Sequence, residues 1–177
     1  AISYNPTPEV LGNVYYLVAV GWAARNDYQA ASDAIYKAIS LRPNDSNARI
    51  DLAAYLAALD KDEAAKQSLL VALKLNPTNA IAHSNLGGLM AKSGQLNEAL
   101  QHYESAIRIN PSNFDTQHNY CIALIRSGQV SNALHKYEEI FNIEPNYIPA
   151  LRQLTWLLAT YPQTLDPTRS QQYAKLL

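Results

Sequence analysis

Four prolines divide this chain into equal intervals. Pro43, Pro77, Pro111 and Pro145 follow one another at a constant spacing of 34 residues. A fixed period of this size predicts a tandem array of helical repeats, and it must be identified before any local motif is interpreted. Repeat arrays are stabilised by contacts between neighbouring units and lack a single central core. The period therefore predicts an elongated binding surface, without indicating what binds there.

Other positions keep the same phase as the prolines. With Pro43 as position 32, the units begin at Gly12, Ser46, Ala80, Phe114 and Ile148. Position 20 is always alanine: Ala31, Ala65, Ala99 and Ala133. Position 8 is small: Ala19, Ala53, Gly87, Cys121 and Thr155. The apolar positions have helical spacing, and small residues let two helices approach closely. Each unit is therefore predicted to be a pair of packed helices.

The residues between the predicted helices support this division. Position 15 lies between the two helices of a unit. In four units it carries a residue type that tolerates positive φ: Asn26, Asp60, Gly94 and Gly128. Each second helix is expected to stop before its proline, because the residue preceding a proline is pushed out of α geometry. The next helix then needs a side-chain N-cap, and three residues are placed to provide it: Asp45, Asn79 and Asn113. Thr7, followed by Pro8 and Glu9, predicts the first cap.

The third unit carries the clearest motif. It reads His83, Leu86, Gly87 and Met90 in its first helix and Ala99, Tyr103, Ala106 and Pro111 in and after its second. With these residues the chain resembles the tetratricopeptide repeat family. The resemblance implies an all-α, right-handed α-solenoid of about five helix-turn-helix repeats. The tryptophan that the family pattern places at position 4 is replaced by Tyr15, Arg49, His83, Gln117 or Leu151.

The predicted organisation is one solenoid domain over residues 1–177. Its repeats are expected at about 12–45, 46–79, 80–113 and 114–147, with an atypical terminal repeat at 148–177. In that last repeat Tyr161-Pro162-Gln163 breaks the pattern, and Asp166-Pro167 predicts the start of a partial helix that ends at Leu177. The chain starts at Ala1 without a methionine and ends in a helical pattern, so we expect a segment of a larger or processed protein.

The family resemblance also implies where a partner binds. In tetratricopeptide arrays the first helices line a concave groove, here through positions 2, 5, 6, 9, 12 and 13 of each unit. Position 6 carries polar groups in four successive units: Asp51, Asn85, Asn119 and Gln153. A side-chain amide both donates and accepts hydrogen bonds, so an amide ladder can hold a peptide backbone. The alternative is that asparagine is simply common at this position.

Charged and aromatic residues complete the predicted groove. The basic residues at its lining positions are Lys92, His118, Arg126 and Arg152. They predict a mildly basic C-terminal half that favours an acidic partner, against the alternative of an ordinary solvated face. Tyr16 and the apolar Leu17 and Val20 line the first unit, where we expect an exposed patch to be covered or paired. Trp156 is a second aromatic candidate, in the last unit.

Several classes of function are disfavoured. The net charge of −1 gives no sign of nucleic-acid binding, and the longest apolar run, residues 14–24, is too short to span a bilayer. The four histidines are too far apart for a paired helical metal site, and one cysteine gives no zinc cluster, so no metal or cofactor is expected. Cys121 occupies a helix contact and is interpreted as structural. The cysteine usage leaves the compartment undetermined, with the cytoplasm as the working interpretation.

The predicted function is a non-catalytic scaffold that binds a protein or an extended peptide in the groove. Two alternatives stay open. The apolar first unit and the atypical end could stack between copies into a homo-oligomer, either a dimer or a filament. The chain could also be the targeting or regulatory part of a larger enzyme such as a glycosyltransferase. No catalytic residue is predicted within these 177 residues.

Overall fold

The computed structural model describes residues 6–161, and this part of the chain is helical without any strand. Its helices are α1 (Pro8–Ala23), α2 (Tyr28–Leu41), α3 (Ser46–Ala58), α4 (Asp62–Leu75), α5 (Ala80–Lys92), α6 (Leu96–Ile109), α7 (Phe114–Arg126), α8 (Val130–Ile143) and α9 (Ile148–Thr160). The all-α prediction is confirmed for this range. The predicted start at Asp166-Pro167 and the final helix to Leu177 lie outside the described residues.

The helices follow the 34-residue register of the prolines. Each of the first four units contributes two helices, and α9 opens the fifth. Within a repeat, α1 packs against α2, α3 against α4 and α7 against α8. Between successive repeats, α2 packs against α3, α6 against α7 and α8 against α9. The chain forms two compact units, Ala1–Leu89 and Met90–Leu177, called here the N-terminal and C-terminal units. The single domain over residues 1–177 stays a prediction.

The turns within the repeats have the geometry that the sequence predicts. Four residues at position 15 adopt positive φ: Asn26 (60°), Asp60 (55°), Gly94 (82°) and Gly128 (83°). Positive φ is uncommon for residues with a Cβ, and asparagine and aspartate are among those that tolerate it best. The residue choice at this one position therefore allows the chain to reverse direction after the first helix of each of the first four units.

The predicted N-caps are confirmed as well. Each cap oxygen accepts a hydrogen bond from the backbone N–H three residues later: Thr7 from Val10 at 3.3 Å, Asp45 from Ala48 at 3.0 Å, Asn79 from Ala82 at 3.0 Å and Asn113 from Thr116 at 2.9 Å. Such a cap contributes about 1 kcal/mol to helix stability. Because Thr7 caps α1, this helix starts one turn earlier than the unit boundary at Gly12 and is 16 residues long.

The core lies between the paired helices, and it includes the positions that the sequence reserves for small residues. The four alanines at position 20 are completely buried, and so is Cys121 at position 8. Since no bulky side chain separates the helices there, their backbones can approach closely. A larger residue at any of these positions would overpack the contact, at a cost of about 1–3 kcal/mol.

Position 4, where the family tryptophan is missing, has a shared structural role in three units. Arg49 Nη2 donates to the carbonyl oxygen of Pro43 at 3.0 Å, and Gln117 Nε2 donates to that of Pro111 at 2.7 Å. His83 Nε2 lies 3.1 Å from the equivalent oxygen of Pro77. Three different side chains thus reach back six residues to the proline that ends the preceding second helix. They satisfy a carbonyl group where no further helical turn follows.

Candidate functional site

Two neighbouring clefts in the C-terminal unit are lined by first helices. His118 of α7 and Ile148, Pro149, Arg152 and Gln153 of α9 surround a cleft of about 440 Å³, which we call the His118 cleft. All of these residues except Ile148 occupy lining positions of the predicted groove.

The second cleft, the Trp156 cleft, has a volume of about 300 Å³. Ile122, Ile125 and Arg126 of α7 line it together with Gln153 and Trp156 of α9. Gln153 thus borders both clefts. Five residues that the sequence assigns to the groove are brought together here: His118, Arg126, Arg152, Gln153 and Trp156.

The His118 cleft owes its positive charge to arginine. His118 Nδ1 lies 3.0 Å from the hydroxyl of Tyr137, and the two rings are 5.7 Å apart. Burial lowers the pKa of the His118 imidazole, an effect that the nearby Asp115 carboxylate opposes. The lowered pKa favours the neutral form of this imidazole. The sequence groups His118 with the cationic residues. Because its lowered pKa favours the neutral ring, the exposed Arg152 is the main basic group of this cleft.

The Trp156 cleft combines three kinds of chemistry. The Trp156 side chain is 47% exposed, and its ring stands edge-on to Tyr161 at 6.1 Å. With Ile122 and Ile125 it offers an apolar wall, while the exposed Arg126 offers a planar cation that suits a carboxylate. The Gln153 amide can pair with a peptide group. Such a cleft can hold an apolar side chain next to an acidic one.

The remaining predicted amides are distributed along α5 and α7. Asn119 is exposed on α7 but lies outside the lining of both clefts. Asn85 is half-buried on α5, and Lys92 is exposed at the end of the same helix. The amide ladder through Asn85, Asn119 and Gln153 stays a prediction.

In the N-terminal unit two predicted groove residues bind each other. The Tyr16 hydroxyl of α1 donates to Asp51 Oδ2 of α3 at 2.7 Å. This hydrogen bond, together with burial, raises the pKa of Tyr16 to about 12. Arg42 lies next to them, with its guanidinium 5.6 Å from the Tyr16 ring and paired with Asp45 at 2.9 Å.

Arg42 is a residue that sequence reasoning misses. Its Nη1 donates to Asn13 Oδ1 at 2.7 Å, so it links the end of α2 to the groove side of α1. Its stem covers Gly12, where an added Cβ would lie 3.0 Å from Arg42 Cγ. Arg42 immediately precedes Pro43, where the sequence predicts only the end of a helix. The sequence does contain one indication of this contact. Unit one begins with Gly12, whereas the other units carry larger residues at the same position.

The second helices α6 and α8, together with the first helix α7, line a further cleft of about 430 Å³ in the C-terminal unit. It lies among α6, α7 and α8 and includes Glu104, Tyr120, Lys136 and Glu139. Its polar groups largely pair with one another: Tyr120 donates to Glu104 at 2.9 Å, and Lys136 contacts Glu139 at 2.8 Å. The sequence assigns no site to the second helices α6 and α8.

Within residues 6–161, no group of three or more His, Cys, Asp or Glu side chains is arranged to hold a metal ion. No helix in this range combines the length and the apolar character needed to cross a bilayer. Burial raises the pKa of the Cys121 thiol to about 12, which favours the unreactive protonated form.

Comparison with protein families identifies the repeat. Two family models, both described as tetratricopeptide repeat, match residues 90–158 and residues 69–101. Together they cover residues 69–158, which is half of the chain. This chain belongs to the tetratricopeptide repeat family. The sequence-based recognition and the all-α tetratricopeptide solenoid fold class are thereby confirmed. A search of curated protein sequences found no significant match.

Solved structures of tetratricopeptide proteins share this fold at low sequence identity. PilF of Pseudomonas aeruginosa superposes with a TM-score of 0.82 at 18% identity, covering 97% of this chain and 77% of PilF. MamA of Desulfovibrio magneticus RS-1 gives 0.80 at 16% identity, covering 93% and 90%. YrrB, described as a tetratricopeptide protein with an unusual peptide-binding site, gives 0.73 at 18% identity, covering 92% and 82%. These likenesses establish the fold alone.

Proposed function

We propose that this tetratricopeptide protein is a non-catalytic binding module that holds a protein segment or an extended peptide against α7 and α9. The observation that carries the proposal is the shared position of Gln153, which borders two adjacent clefts lined by groove positions. One amide between two clefts can pair with a backbone whose neighbouring side chains enter the clefts on either side.

The chemistry of the clefts defines the ligand. Arg126 and Arg152 each supply one exposed cation, so a segment with acidic side chains is favoured. Ile122, Ile125 and Trp156 supply an apolar wall for one aliphatic or aromatic anchor. The proposed ligand is therefore an extended acidic segment with a large apolar residue beside an aspartate or glutamate.

The proposal includes three further groove residues because of the repeat positions that they occupy. Asn119 of α7 occupies the same repeat position as Gln153, and Asn85 and Lys92 of α5 occupy positions equivalent to those of Asn119 and Arg126. A peptide-binding site in YrrB, which shares the fold, is in line with this use of a tetratricopeptide surface.

The test is a selection from a displayed library of random peptides, followed by affinity measurement by fluorescence anisotropy. We expect enrichment of peptides that join an acidic residue to a large apolar residue. Trp156→Ala and the double variant Arg126→Ala/Arg152→Ala are each expected to weaken binding about tenfold or more, which corresponds to about 1.4 kcal/mol.

The matched control is Arg108→Ala, which removes an exposed arginine of α6 that borders neither the His118 cleft nor the Trp156 cleft. It should leave the affinity unchanged, and circular dichroism should be the same for all variants. If no peptide class is enriched, or if the control weakens binding as much as the cleft variants do, the proposal is rejected.

Self-association is the second candidate function. The observation that favours it is the exposed apolar face of α1, where Leu17 and Val20 are open to solvent in the described structure. Contiguous exposed apolar surface of this kind is typical of interaction sites.

A further inference from the structure

The two nitrogens of the His118 ring have different surroundings. Nδ1 lies 3.0 Å from the hydroxyl of Tyr137, whose side chain is completely buried. Within the described residues, no hydrogen bond engages Nε2. His118 is half-buried and lines the His118 cleft, so Nε2 is the ring nitrogen that a ligand in this cleft can reach.

Tyr137 determines where the neutral His118 ring carries its proton. Burial raises the pKa of the Tyr137 hydroxyl well above its usual range, so this group stays a neutral donor. While it donates to Nδ1, the single proton of the neutral imidazole has to be on Nε2. Nε2 therefore presents an N–H to a ligand even when His118 carries no charge.

The same arrangement accommodates a protonated His118. In that form Nδ1–H donates to the Tyr137 oxygen, and the phenolic proton needs another acceptor. The backbone carbonyl oxygen of His118 lies 3.4 Å from the Tyr137 hydroxyl, so a rotation of the O–H bond supplies one. Both proton forms of the ring thus keep Tyr137 paired and keep an N–H on Nε2.

The charged groups near His118 are largely occupied by other partners. The Asp115 carboxylate on α7 acts to raise the pKa of His118, but it accepts a hydrogen bond from the Tyr147 hydroxyl at 2.7 Å. Tyr147, the residue before α9, stands edge-on to the His118 ring at 6.4 Å. Helix α6 also packs against α7, but its Glu104 pairs with Tyr120 and does not act on the pKa of His118.

Arg152 of α9 lines the same cleft and is exposed. Within residues 6–161 it forms no ion pair. Ile148 and Pro149 add apolar surface to the cleft, and charge-assisted hydrogen bonds are stronger where water is partly excluded. A carboxylate in the cleft would meet the Arg152 guanidinium and the Nε2–H of His118, which together supply donors for its two oxygens.

We propose that Arg152 and His118 together hold one side-chain carboxylate of the bound segment, and that binding places a proton on His118. The inference rests on the proposed peptide-binding function and assigns two residues to the acidic side chain of the ligand. An opposite charge within about 4–6 Å favours the charged form of an ionisable group, so a carboxylate beside the ring stabilises the imidazolium. Because burial lowers the pKa of His118 in the free protein, the ring has a proton to gain on binding.

The pH dependence of binding has a defined sign. The complex holds more protons than the free partners, so the affinity rises as the pH falls. Burial moves the pKa of His118 below the ordinary value of 6.5, while the acidic side chains of a peptide stay largely ionised down to about pH 5. The affinity is therefore expected to increase as the pH falls from about 7.5 to about 5.5.

The probe is the tightest-binding acidic peptide from the random-peptide selection described above, measured by fluorescence anisotropy over that pH interval. Its affinity should rise about threefold or more on acidification. His118→Gln keeps a side-chain N–H donor but cannot take up a proton, so its affinity should not depend on pH. The matched control is His135→Gln on α8, which removes an exposed imidazole that borders neither peptide-binding cleft and should keep the full pH dependence.

Two further measurements use the unchanged protein. Nitrogen NMR of labelled imidazoles, without peptide, should show the neutral His118 ring with its proton on Nε2, and addition of the peptide should raise the pKa of this ring. Replacement of the acidic residue of the peptide by its amide should remove the pH dependence of binding. Neither measurement depends on the folding of a variant.

The outcomes separate this inference from the proposed function. A peptide that binds equally well across the pH interval, or a pH dependence that survives His118→Gln, overturns the role of His118 and leaves the binding module in place. Equal loss of the pH dependence in His135→Gln, or a neutral ring with its proton on Nδ1, overturns it as well. If the selection yields no peptide, the proposed function and this inference are both rejected.

Discussion

The hydroxyl of Tyr16 on α1 donates a hydrogen bond of 2.7 Å to Oδ2 of Asp51 on α3. The bond joins the first helices of two successive repeats, which are otherwise connected through α2. Both residues occupy groove positions, so one carboxylate of the predicted groove is already paired within the protein. A ligand that needs Asp51 has to share it with Tyr16.

Tyr16→Phe is expected to lower the free energy of unfolding by about 1 kcal/mol. It removes the donor and leaves the half-buried carboxylate with one partner fewer, a loss that solvent partly replaces. Chemical denaturation followed by circular dichroism measures the change. Tyr36→Phe is the matched control, because Tyr36 is 50% exposed on α2 and the same atom is removed. Equal stability of the two variants would show that the 2.7 Å bond contributes nothing.

The fold was largely predictable because its determinants are local and repeated. The position-15 residues such as Gly94, and N-caps such as Asp45, act within one turn of the chain, so residue type alone predicts their geometry. The 34-residue period then places each helix relative to the last. Residues 162–177, where the repeat pattern is lost, fall outside the described structure.

Position 4 shows what such reasoning misses. Arg49, His83 and Gln117 look like unrelated departures from the tryptophan of the family pattern. A comparison of residue types alone does not show that all three side chains carry a hydrogen-bond donor. Each carries a side-chain N–H six residues after a proline carbonyl. That geometry becomes visible only when the turn between two repeats is built.

Gln117→Leu should destabilise the protein by about 1 kcal/mol. The Gln117 side chain is almost fully buried, and its amide donates to Pro111 at 2.7 Å. Leucine keeps the approximate volume but loses the donor, so the carbonyl oxygen depends on water. Urea denaturation measures the effect, with Gln101→Leu on the exposed side of α6 as the control. If the buried substitution is neutral or stabilising, apolar packing alone suffices at position 4, as at Leu151 in the last repeat.

The candidate site was predictable only in part. The repeat register places Arg126, Gln153 and Trp156 at groove positions of two successive first helices, and in the structure they line one cleft. It could not show that Asp51 accepts a hydrogen bond from Tyr16 or that burial lowers the pKa of His118. Those properties depend on burial and on hydrogen bonds that join residues 19 or more positions apart in the chain.

Raised tyrosine pKa values predict a loss of stability at high pH. Hydrogen bonding to Asp51 raises the pKa of Tyr16 to about 12, and burial, assisted by Glu104, does the same for Tyr120. Both start from 10.0 in the unfolded chain, so folding favours the neutral phenol. Their contribution is complete below about pH 10 and is lost as the pH rises through about 12.

Ultraviolet titration of tyrosinate tests this prediction directly. In the folded protein part of the absorbance change should be delayed to about pH 12, and in strong denaturant the whole change should occur near pH 10. The midpoint of urea denaturation should fall over the same pH interval. Coincident titration curves for the folded and denatured chain would contradict the raised values.

Cys121 should react slowly with thiol reagents in the folded protein. Its side chain is completely buried at a helix contact, and burial raises the pKa of the thiol to about 12, so almost no thiolate exists at pH 8. Labelling by a disulfide reagent at pH 8 should therefore proceed only as the local structure opens. The labelling rate should rise by orders of magnitude in denaturant.

Leu17→Cys provides the matched exposed thiol on α1, where Leu17 is 68% exposed. In dilute protein this thiol is expected to react as fast as a cysteine in a free peptide. Similar labelling rates at positions 121 and 17 would mean that Cys121 is accessible and that its assignment to the helix contact is wrong.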